Sequence, residues 1–246
     1  MIQLDSQTKD KRNKRYDNIA RKRPAYISLI VPIVLGLTLG VDDYLVSKDW
    51  GNAIIYIISI SAISASLFFF LRLFLRDISK LYPEKILFSK RIKPTTRLLY
   101  SNDVNFSDEK KLEIRKKIKL KKRVDLQQIR NKTHENDKYV KQVDEVVDWL
   151  LDVTRFDDIL FDYNCIYGFY RNLTAAVFVD ALLVFVLAAI NKWWTAIPFG
   201  SVYLWLAIVL VFISVLIMYL AYSNGLIFAK KMYNVFLGLN DDINNY

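Results

Sequence analysis

Four long apolar runs divide the chain. They span residues 25–41, 53–71, 173–190 and 201–222. Each run is close to the roughly 20 residues with which a helix crosses about 30 Å of hydrocarbon. Backbone groups in lipid must be satisfied within their own segment, so the runs predict transmembrane helices rather than strands. The first run contains Pro32, which a transmembrane helix tolerates as a kink, and its length favours a retained anchor over a signal peptide.

The segment between the second and third runs is polar, and its pattern is helical. The apolar stripe of the second run continues as far as Pro83, which ends it. Ser107, followed by two acidic residues, predicts a capped helix that runs to about Asn131. A further helix is predicted at 137–154, where an apolar stripe recurs at three- and four-residue spacing. The stripe consists of Tyr139, Val143, Val146, Val147, Leu150 and Thr154.

No alternating strand pattern of useful length occurs in the sequence. The predicted fold class is therefore all-α, an integral membrane protein with four transmembrane helices and a helical cytoplasmic insert between helices two and three. Of the 35 Lys and Arg residues, eight precede residue 25, 23 lie in residues 72–172 and two follow residue 222, whereas the loops 42–52 and 191–200 hold one each. The positive-inside rule places both termini and the insert in the cytoplasm.

This charge distribution sets the predicted domain layout. The segments are a basic cytoplasmic N-terminus (1–24), transmembrane helices one and two (25–71), the cytoplasmic helical insert (72–172), transmembrane helices three and four (173–222) and a cytoplasmic C-terminal tail (223–246).

The composition excludes most enzyme chemistries. The 246 residues are 53% hydrophobic yet carry a formal net charge of +10, so apolar and cationic residues must be segregated along the chain. One cysteine, Cys165, and one histidine, His134, allow no disulfide framework, no thiolate or imidazole metal cluster and no Ser-His-Asp or Cys-His machinery. We therefore expect no enzyme activity, no catalytic residues, no metal and no cofactor.

Asp180 is an ionisable residue near the middle of the third run, and none of the four runs contains a Lys or Arg to pair with it. An ionisable group at that depth costs roughly 2.5–3.5 kcal/mol, which favours a polar pathway such as a pore. The alternative is a packing role, with a hydrogen bond to a serine of the second run. That run carries Ser59, Ser61, Ser64 and Ser66, which suit helix packing or a pore lining. The predicted pathway residues are Asp180, Ser59 and Ser66.

The densest positive charge lies at residues 110–123, with nine cations and one acid. Such density attracts polyanions, through phosphate contacts or through the anionic leaflet of the membrane. A solvated or lipid-contacting face and a nucleotide or short nucleic-acid ligand both remain open, because no glycine-rich phosphate loop or zinc finger narrows the choice. The candidate ligand-binding residues are Lys110, Lys111, Arg115, Lys116, Lys117, Lys119, Lys121, Lys122 and Arg123.

A polar and aromatic cluster at residues 154–172 stands directly before the third run. A conformational change in the insert must pass through it to reach Asp180, which favours a gating or coupling segment. An interfacial belt of aromatic and snorkelling side chains is the alternative. The candidate coupling residues are Arg155, Asn164, Tyr167, Arg171 and Asn172.

Four short motifs resemble a group of bacterial four-span membrane proteins. They are Lys93-Pro94-Thr95-Thr96-Arg97, Asn136-Asp137 with Tyr139, Trp149-Leu150 ending in Thr154-Arg155, and Asn164 followed by Tyr167-Gly168-Phe169-Tyr170-Arg171-Asn172. In layout the chain also resembles the membrane effectors of bacterial anti-phage systems, such as the Hailong defence channels, which short DNA oligomers hold closed. The resemblance implies the bacterial cytoplasmic membrane and a nucleotide or short DNA ligand made by a partner nucleotidyltransferase.

Together these features predict an oligomeric ion channel or pore-forming effector, gated through its basic cytoplasmic region by an anionic nucleotide or oligonucleotide. One four-helix subunit can hardly enclose an aqueous path, so we expect a homo-oligomer, with a tetramer favoured, and membrane lipids as further partners. A non-conducting scaffold or sensor that docks a soluble partner or anionic lipid is the alternative. A secondary transporter is disfavoured, because the sequence contains no visible inverted repeat.

Overall fold

The computed structural model describes residues 6–37, 50–80, 82, 86, 93–100, 103–126, 137–194 and 200–239. Regular secondary structure within these residues is helical throughout, which confirms the predicted all-α class. The helices are, in chain order, α1 (Ser6–Tyr16), a π-helical turn (Asp17–Lys22), α2 (Arg23–Ser28), α3 (30–37), α4 (Trp50–Ser79), α5 (Pro94–Arg97), α6 (Asp108–Lys122), α7 (Asp137–Thr154), α8 (Asp158–Trp194) and α9 (Gly200–Gly238).

The chain forms two compact units. Unit one comprises Met1–Arg12, Glu84–Tyr167 and Tyr222–Tyr246, and unit two comprises Asn13–Pro83 and Gly168–Ala221. The long helices α8 and α9 each contribute residues to both units.

Two helices within the described residues are long and apolar enough to cross a membrane. They are Asp158–Ile190 in α8 and Val202–Gly238 in α9, and they contain the third and fourth apolar runs. Only 22% of the most apolar stretch of α9 is buried, whereas the core helix of a soluble protein is mostly buried.

The first two apolar runs are covered only in part by the described residues. Residues 38–41 of the first run lie outside them, and a shorter apolar helix within α4, Ser61–Leu75, overlaps the second run. The structure therefore supplies two candidates for membrane-crossing helices rather than the four predicted, and the four-span layout stays a proposal.

The core of unit one is built around α7. This helix has the predicted bounds, and every residue of its predicted stripe is 0–1% exposed. Residues Ile114 and Ile118 of α6 and Met232, Tyr233 and Phe236 of α9 belong to the same core. Helical periodicity located this core correctly, because a strongly amphipathic helix must bury its apolar face against neighbouring elements.

Helix α6 begins where the sequence predicts and ends earlier. The hydroxyl of Ser107 accepts a hydrogen bond from the backbone N–H of Lys110 at 3.3 Å, which confirms the predicted cap. The helix ends at Lys122, because Arg123 adopts a left-handed conformation with a φ of 58°, a common way of closing an α-helix. The predicted continuation is wrong over residues 123–125, and 127–136 lie outside the described residues.

Unit two contains a close helix contact at Gly168 of α8. A Cβ at this position would lie 2.8 Å from the hydroxyl of Tyr16 and 3.0 Å from Cβ of Ala20. Small residues of this kind let membrane helices approach one another closely. A separate apolar cluster of the same unit consists of Ala25, Leu71, Leu75, Ala175 and Ala176.

Candidate functional site

The third apolar run places one carboxylate, that of Asp180, in the interior of unit two. The residue is 1% exposed. Ser28 of α2 donates its hydroxyl to Oδ1 of Asp180 at 3.0 Å. Oδ2 has no hydrogen-bond partner among the residues that the structure describes. The described residues therefore satisfy only one oxygen of this interior carboxylate, an arrangement that costs free energy in an apolar environment.

The serine that contacts Asp180 comes from the first apolar run, whereas the packing alternative named a serine of the second run. Ser64 of α4 is buried, and its hydroxyl has no hydrogen-bond partner within the described part of the chain. Ser59 and Ser66 are exposed, and Ser66 donates to the carbonyl of Ala62 in its own helix at 2.9 Å. The predicted pathway residues are thus separated, with Asp180 in the interior and both serines on the surface.

Asn172, one of the predicted coupling residues, binds the same N-terminal stretch two turns earlier. Its side-chain Nδ2 donates to the carbonyl of Ala20 at 2.5 Å. In an α-helix this carbonyl accepts from the N–H four residues later, but that residue is Pro24, which has no N–H. Ala20 lies in the π-helical turn, and Asn172 supplies a donor to a carbonyl that cannot receive the α-helical hydrogen bond. Pro24 is therefore a sequence signal for this contact.

The two contacts between these helices have the same sequence offset. Ala20 and Ser28 lie eight residues apart, as do Asn172 and Asp180, so that each bond joins residues 152 positions apart. Equal offsets at two points mean that the two helical stretches run in the same direction. In a bilayer, both stretches would enter from the same side.

The basic residues of α6 do not form one solvent-facing surface. Lys111 and Arg115 are buried in unit one, although both were candidates for ligand binding. Lys111 donates its ammonium group to the carbonyl of Asp103, and Arg115 donates to the carbonyl of Leu99 at 2.5 Å. A buried cation that satisfies buried carbonyls supports the fold, so these two residues are structural in this conformation.

Lys117 binds the end of α9. Its Nζ donates to the carbonyls of Leu237 and Leu239 at 2.8 and 2.5 Å. The last carbonyls of a helix have no intrahelical donor, and a lysine at this position satisfies them and opposes the negative end of the helix dipole. Lys110 and Lys122 also donate to other segments of unit one.

The remaining cations of the basic run 110–123 are more accessible. Lys116 and Arg123 are exposed, Lys121 is half-buried, and Lys119 pairs with Asp125 at 2.7 Å. The accessible part of the predicted anion-binding run is therefore smaller than the sequence indicates. It consists of Lys116, Lys119, Lys121 and Arg123.

Two of the predicted coupling residues, Arg155 and Asn164, line a cavity of about 270 Å³ in unit one. The other wall residues are apolar: Leu151, Leu160, Phe161 and Phe228. The guanidinium of Arg12 donates to the carbonyls of Arg155 and Phe156 at 2.5 and 3.0 Å and pairs with Asp158. This residue therefore ties α1 to the turn that precedes α8.

The other coupling candidates are divided between the units. Tyr167 is buried in unit one, where its ring stacks on Phe228 with centroids 6.3 Å apart. A Cβ on Gly225 would lie 3.0 Å from the same ring, so glycine permits this contact. Arg171 is half-buried in unit two, which also contains Asn172. Both units thus contain coupling candidates that belong to α8.

Comparisons of the chain with protein-family models, with curated proteins and with solved structures find no match. Within the described residues, no group of three or more His, Cys, Asp or Glu side chains is arranged to hold a metal ion.

Proposed function

We propose that this chain is one subunit of an oligomeric ion channel in the bacterial cytoplasmic membrane, and that the described conformation is closed. The observation that carries the proposal is the buried carboxylate of Asp180, with one oxygen bound by Ser28 and the other without a partner in the described chain. Burying an ionisable side chain among apolar helices has a desolvation cost that apolar packing does not offset. Such residues are typical of ion pathways and proton relays.

The closed state follows from where the carboxylate lies. A lumen between subunits is lined by side chains that are exposed on each subunit, whereas Asp180 is 1% exposed. Opening therefore requires a movement of α2 against α8 that breaks the Ser28 bond and exposes the carboxylate. Acidic side chains around a lumen favour cations, so the open pore would be cation-selective. Ser59 and Ser66, which are exposed on α4, supply further polar lining.

Two observations support the four-span layout. Large apolar side chains of α4 are exposed over several turns, as lipid contact requires. The stretches 20–28 and 172–180 run in the same direction. The layout requires this, because the first and third spans both leave the cytoplasm. Tetramers of such subunits would enclose the aqueous path that one subunit lacks.

The proposed ligand is an anionic nucleotide or short oligonucleotide, made by a partner nucleotidyltransferase as part of an anti-phage response. Lys116, Lys119, Lys121 and Arg123 provide accessible charge for phosphate contacts. Arg155 and Asn164 offer a second polar surface, on the cavity of unit one.

The test is ion flux across liposomes that contain the purified full chain, with and without short DNA oligomers and cyclic nucleotides. Asp180→Asn removes the charge and keeps the side-chain shape. Asp77→Asn removes an exposed carboxylate of α4 and serves as the matched control. We expect flux whose rate or cation selectivity changes with Asp180→Asn and not with Asp77→Asn. Flux that is indifferent to Asp180→Asn, or a chain that is strictly monomeric in nanodiscs, would contradict the proposal.

A non-conducting membrane scaffold or sensor is the second candidate function. The observation that favours it is the Ser28 bond itself, because a hydroxyl that satisfies one carboxylate oxygen also suits a packing contact. In that case Asp180→Asn leaves the binding of the partner or lipid intact. Folded protein would then carry no flux under any condition, and a soluble partner or anionic lipid would bind the cationic surface of unit one.

A further inference from the structure

A cationic cluster of unit two takes no part in the proposed channel. Asp17, in the π-helical turn, lies 3.5 Å from Arg21, 3.8 Å from Lys22 and 3.3 Å from Arg72. One carboxylate balances only one of these three cations, so the cluster keeps a formal charge of +2. The side chains of the cations are 32–39% exposed. The cluster is therefore accessible and only partly neutralised.

The same two helical stretches lead from the cluster onto an exposed apolar surface. Tyr26 lies one turn beyond Lys22, and Phe68 lies one turn before Arg72. Their rings stack with centroids 4.5 Å apart. Ile30, one turn beyond Tyr26, is 59% exposed. Charged, aromatic and aliphatic side chains thus follow one another within about two helical turns.

We propose that this cluster binds the phosphate headgroup of an anionic phospholipid. The glycerol backbone would then lie at Tyr26 and Phe68, and an acyl chain along the apolar surface beyond them. Arginine binds phosphate oxygens through paired N–H donors, and tyrosine rings favour the level of the headgroups. The surplus positive charge favours an anionic lipid over a zwitterionic one. This inference depends on the membrane location in the proposed function and not on conduction.

Asp17 allows the proposal to be separated from a purely structural role of the cluster. As a negative charge, it competes with the lipid phosphate for the same cations. Asp17→Asn raises the charge of the cluster and should strengthen lipid binding, whereas Arg72→Gln lowers the charge and should weaken it. If the ion pairs only hold α4 to the N-terminal stretch, both substitutions reduce thermal stability and neither changes lipid preference.

The experiment measures binding of phosphatidylglycerol to the purified full chain in phosphatidylcholine nanodiscs, by native mass spectrometry. Wild type should prefer phosphatidylglycerol over phosphatidylcholine with the same acyl chains. We expect Arg72→Gln and Lys22→Gln each to weaken this binding about fivefold, the size expected for one cation near an anionic membrane surface. Asp17→Asn should strengthen it by a similar factor. Lys141→Gln, which removes an exposed cation of unit one, should change nothing.

Several outcomes would overturn the proposal. One is a phosphatidylglycerol affinity that is unchanged in both Arg72→Gln and Lys22→Gln. Two variants are used so that the test remains possible if one of them fails to fold. Another is a lower affinity in Asp17→Asn. Competition by inorganic phosphate or glycerol 3-phosphate would identify a soluble-anion site instead of a lipid site. Loss of lipid preference in a wild-type chain that inserts and conducts contradicts this proposal alone, whereas a chain that is not retained in nanodiscs contradicts the membrane location as well.

Discussion

Asn172 and Asp180 lie two turns apart on α8 and bind groups that also lie two turns apart on the N-terminal helical stretch, the carbonyl of Ala20 and the hydroxyl of Ser28. A shift of one residue between these helices would break both bonds. Because a buried polar group without its partner costs free energy, the pair of contacts fixes the register as well as the direction of the two helices.

The contact between Asn172 and Ala20 can be tested by a double-mutant cycle. Asn172→Ala leaves the Ala20 carbonyl without its donor and should destabilise the protein by about 1–3 kcal/mol. Pro24→Ala restores an N–H at the position that α-helical geometry requires, so the double variant should recover part of this loss. Thermal unfolding in detergent measures the stability of wild type, the two single variants and the double variant. Strictly additive effects of the two substitutions would contradict this account of the contact.

The space around Gly168 should not accommodate a side chain larger than the hydrogen atom of glycine. Gly168→Leu places a side chain where a Cβ alone would already lie 2.8 Å from the hydroxyl of Tyr16. Overpacking of this kind costs about 1–3 kcal/mol, which a lower melting temperature would report. Gly238→Leu is the control, because a Cβ there has no neighbour within 4 Å. Tyr16→Phe should partly rescue Gly168→Ala, since it removes the nearest atom. Equal destabilisation by Gly168→Leu and Gly238→Leu would contradict the close contact between Gly168 and Tyr16.

The sequence predicted the bounds and buried face of α7, but it did not reveal which cations of α6 bind carbonyls within the fold, and the reason is physical. The stripe from Tyr139 to Thr154 is a local pattern, and a local pattern is sufficient to define the buried face of a helix. The positions of Lys111 and Lys117 depend instead on carbonyls that need donors. For Lys117 these carbonyls lie about 120 residues further along the chain. The charge density of the sequence shows where the cations are, but it does not show which of them donate hydrogen bonds to carbonyls within the fold.

The environment of Asp180 was predictable only in part. An acidic residue inside an apolar run favoured a polar pathway, and the alternative was a packing role with a serine of the second run as its partner. The serine on the second run was the wrong choice, because the register of α2 against α8 depends on Asn172 and on the proline at position 24. That proline removes one backbone donor, and its consequence appears only when the two helices are paired.

Lys117 should contribute to stability through the end of α9. Lys117→Met keeps much of the side-chain length and removes the donor to the carbonyls of Leu237 and Leu239. A loss of about 1.5–3 kcal/mol is expected for hydrogen bonds made by a charged group. Lys116→Met is the matched control, since the neighbouring lysine is exposed. Chemical denaturation of both variants measures the difference. Equal midpoints would show that the carbonyls at the end of α9 do not depend on this lysine.

Arg12 should determine whether α1 is ordered. No residue of this helix is fully buried, so burial of apolar side chains contributes little to holding it in place. The side chain of Arg12 is 16% exposed, and its guanidinium donates to the carbonyls of Arg155 and Phe156 and pairs with Asp158. Without these bonds, local opening of α1 should cost much less free energy. We expect Arg12→Ala to raise amide hydrogen exchange in α1 about tenfold or more, since bonds of this type contribute about 1.5–3 kcal/mol.

The control for this prediction is Lys11→Ala, which removes the neighbouring, exposed cation and leaves the contacts of Arg12 in place. Exchange in α1 should then match wild type, because charge alone does not hold the helix. The turn at residues 155–157 should also exchange faster in Arg12→Ala, since two of its carbonyls lose a charged donor. If Arg12→Ala and Lys11→Ala accelerate exchange in α1 equally, the helix is held by its overall charge and the specific contacts of Arg12 do not anchor it.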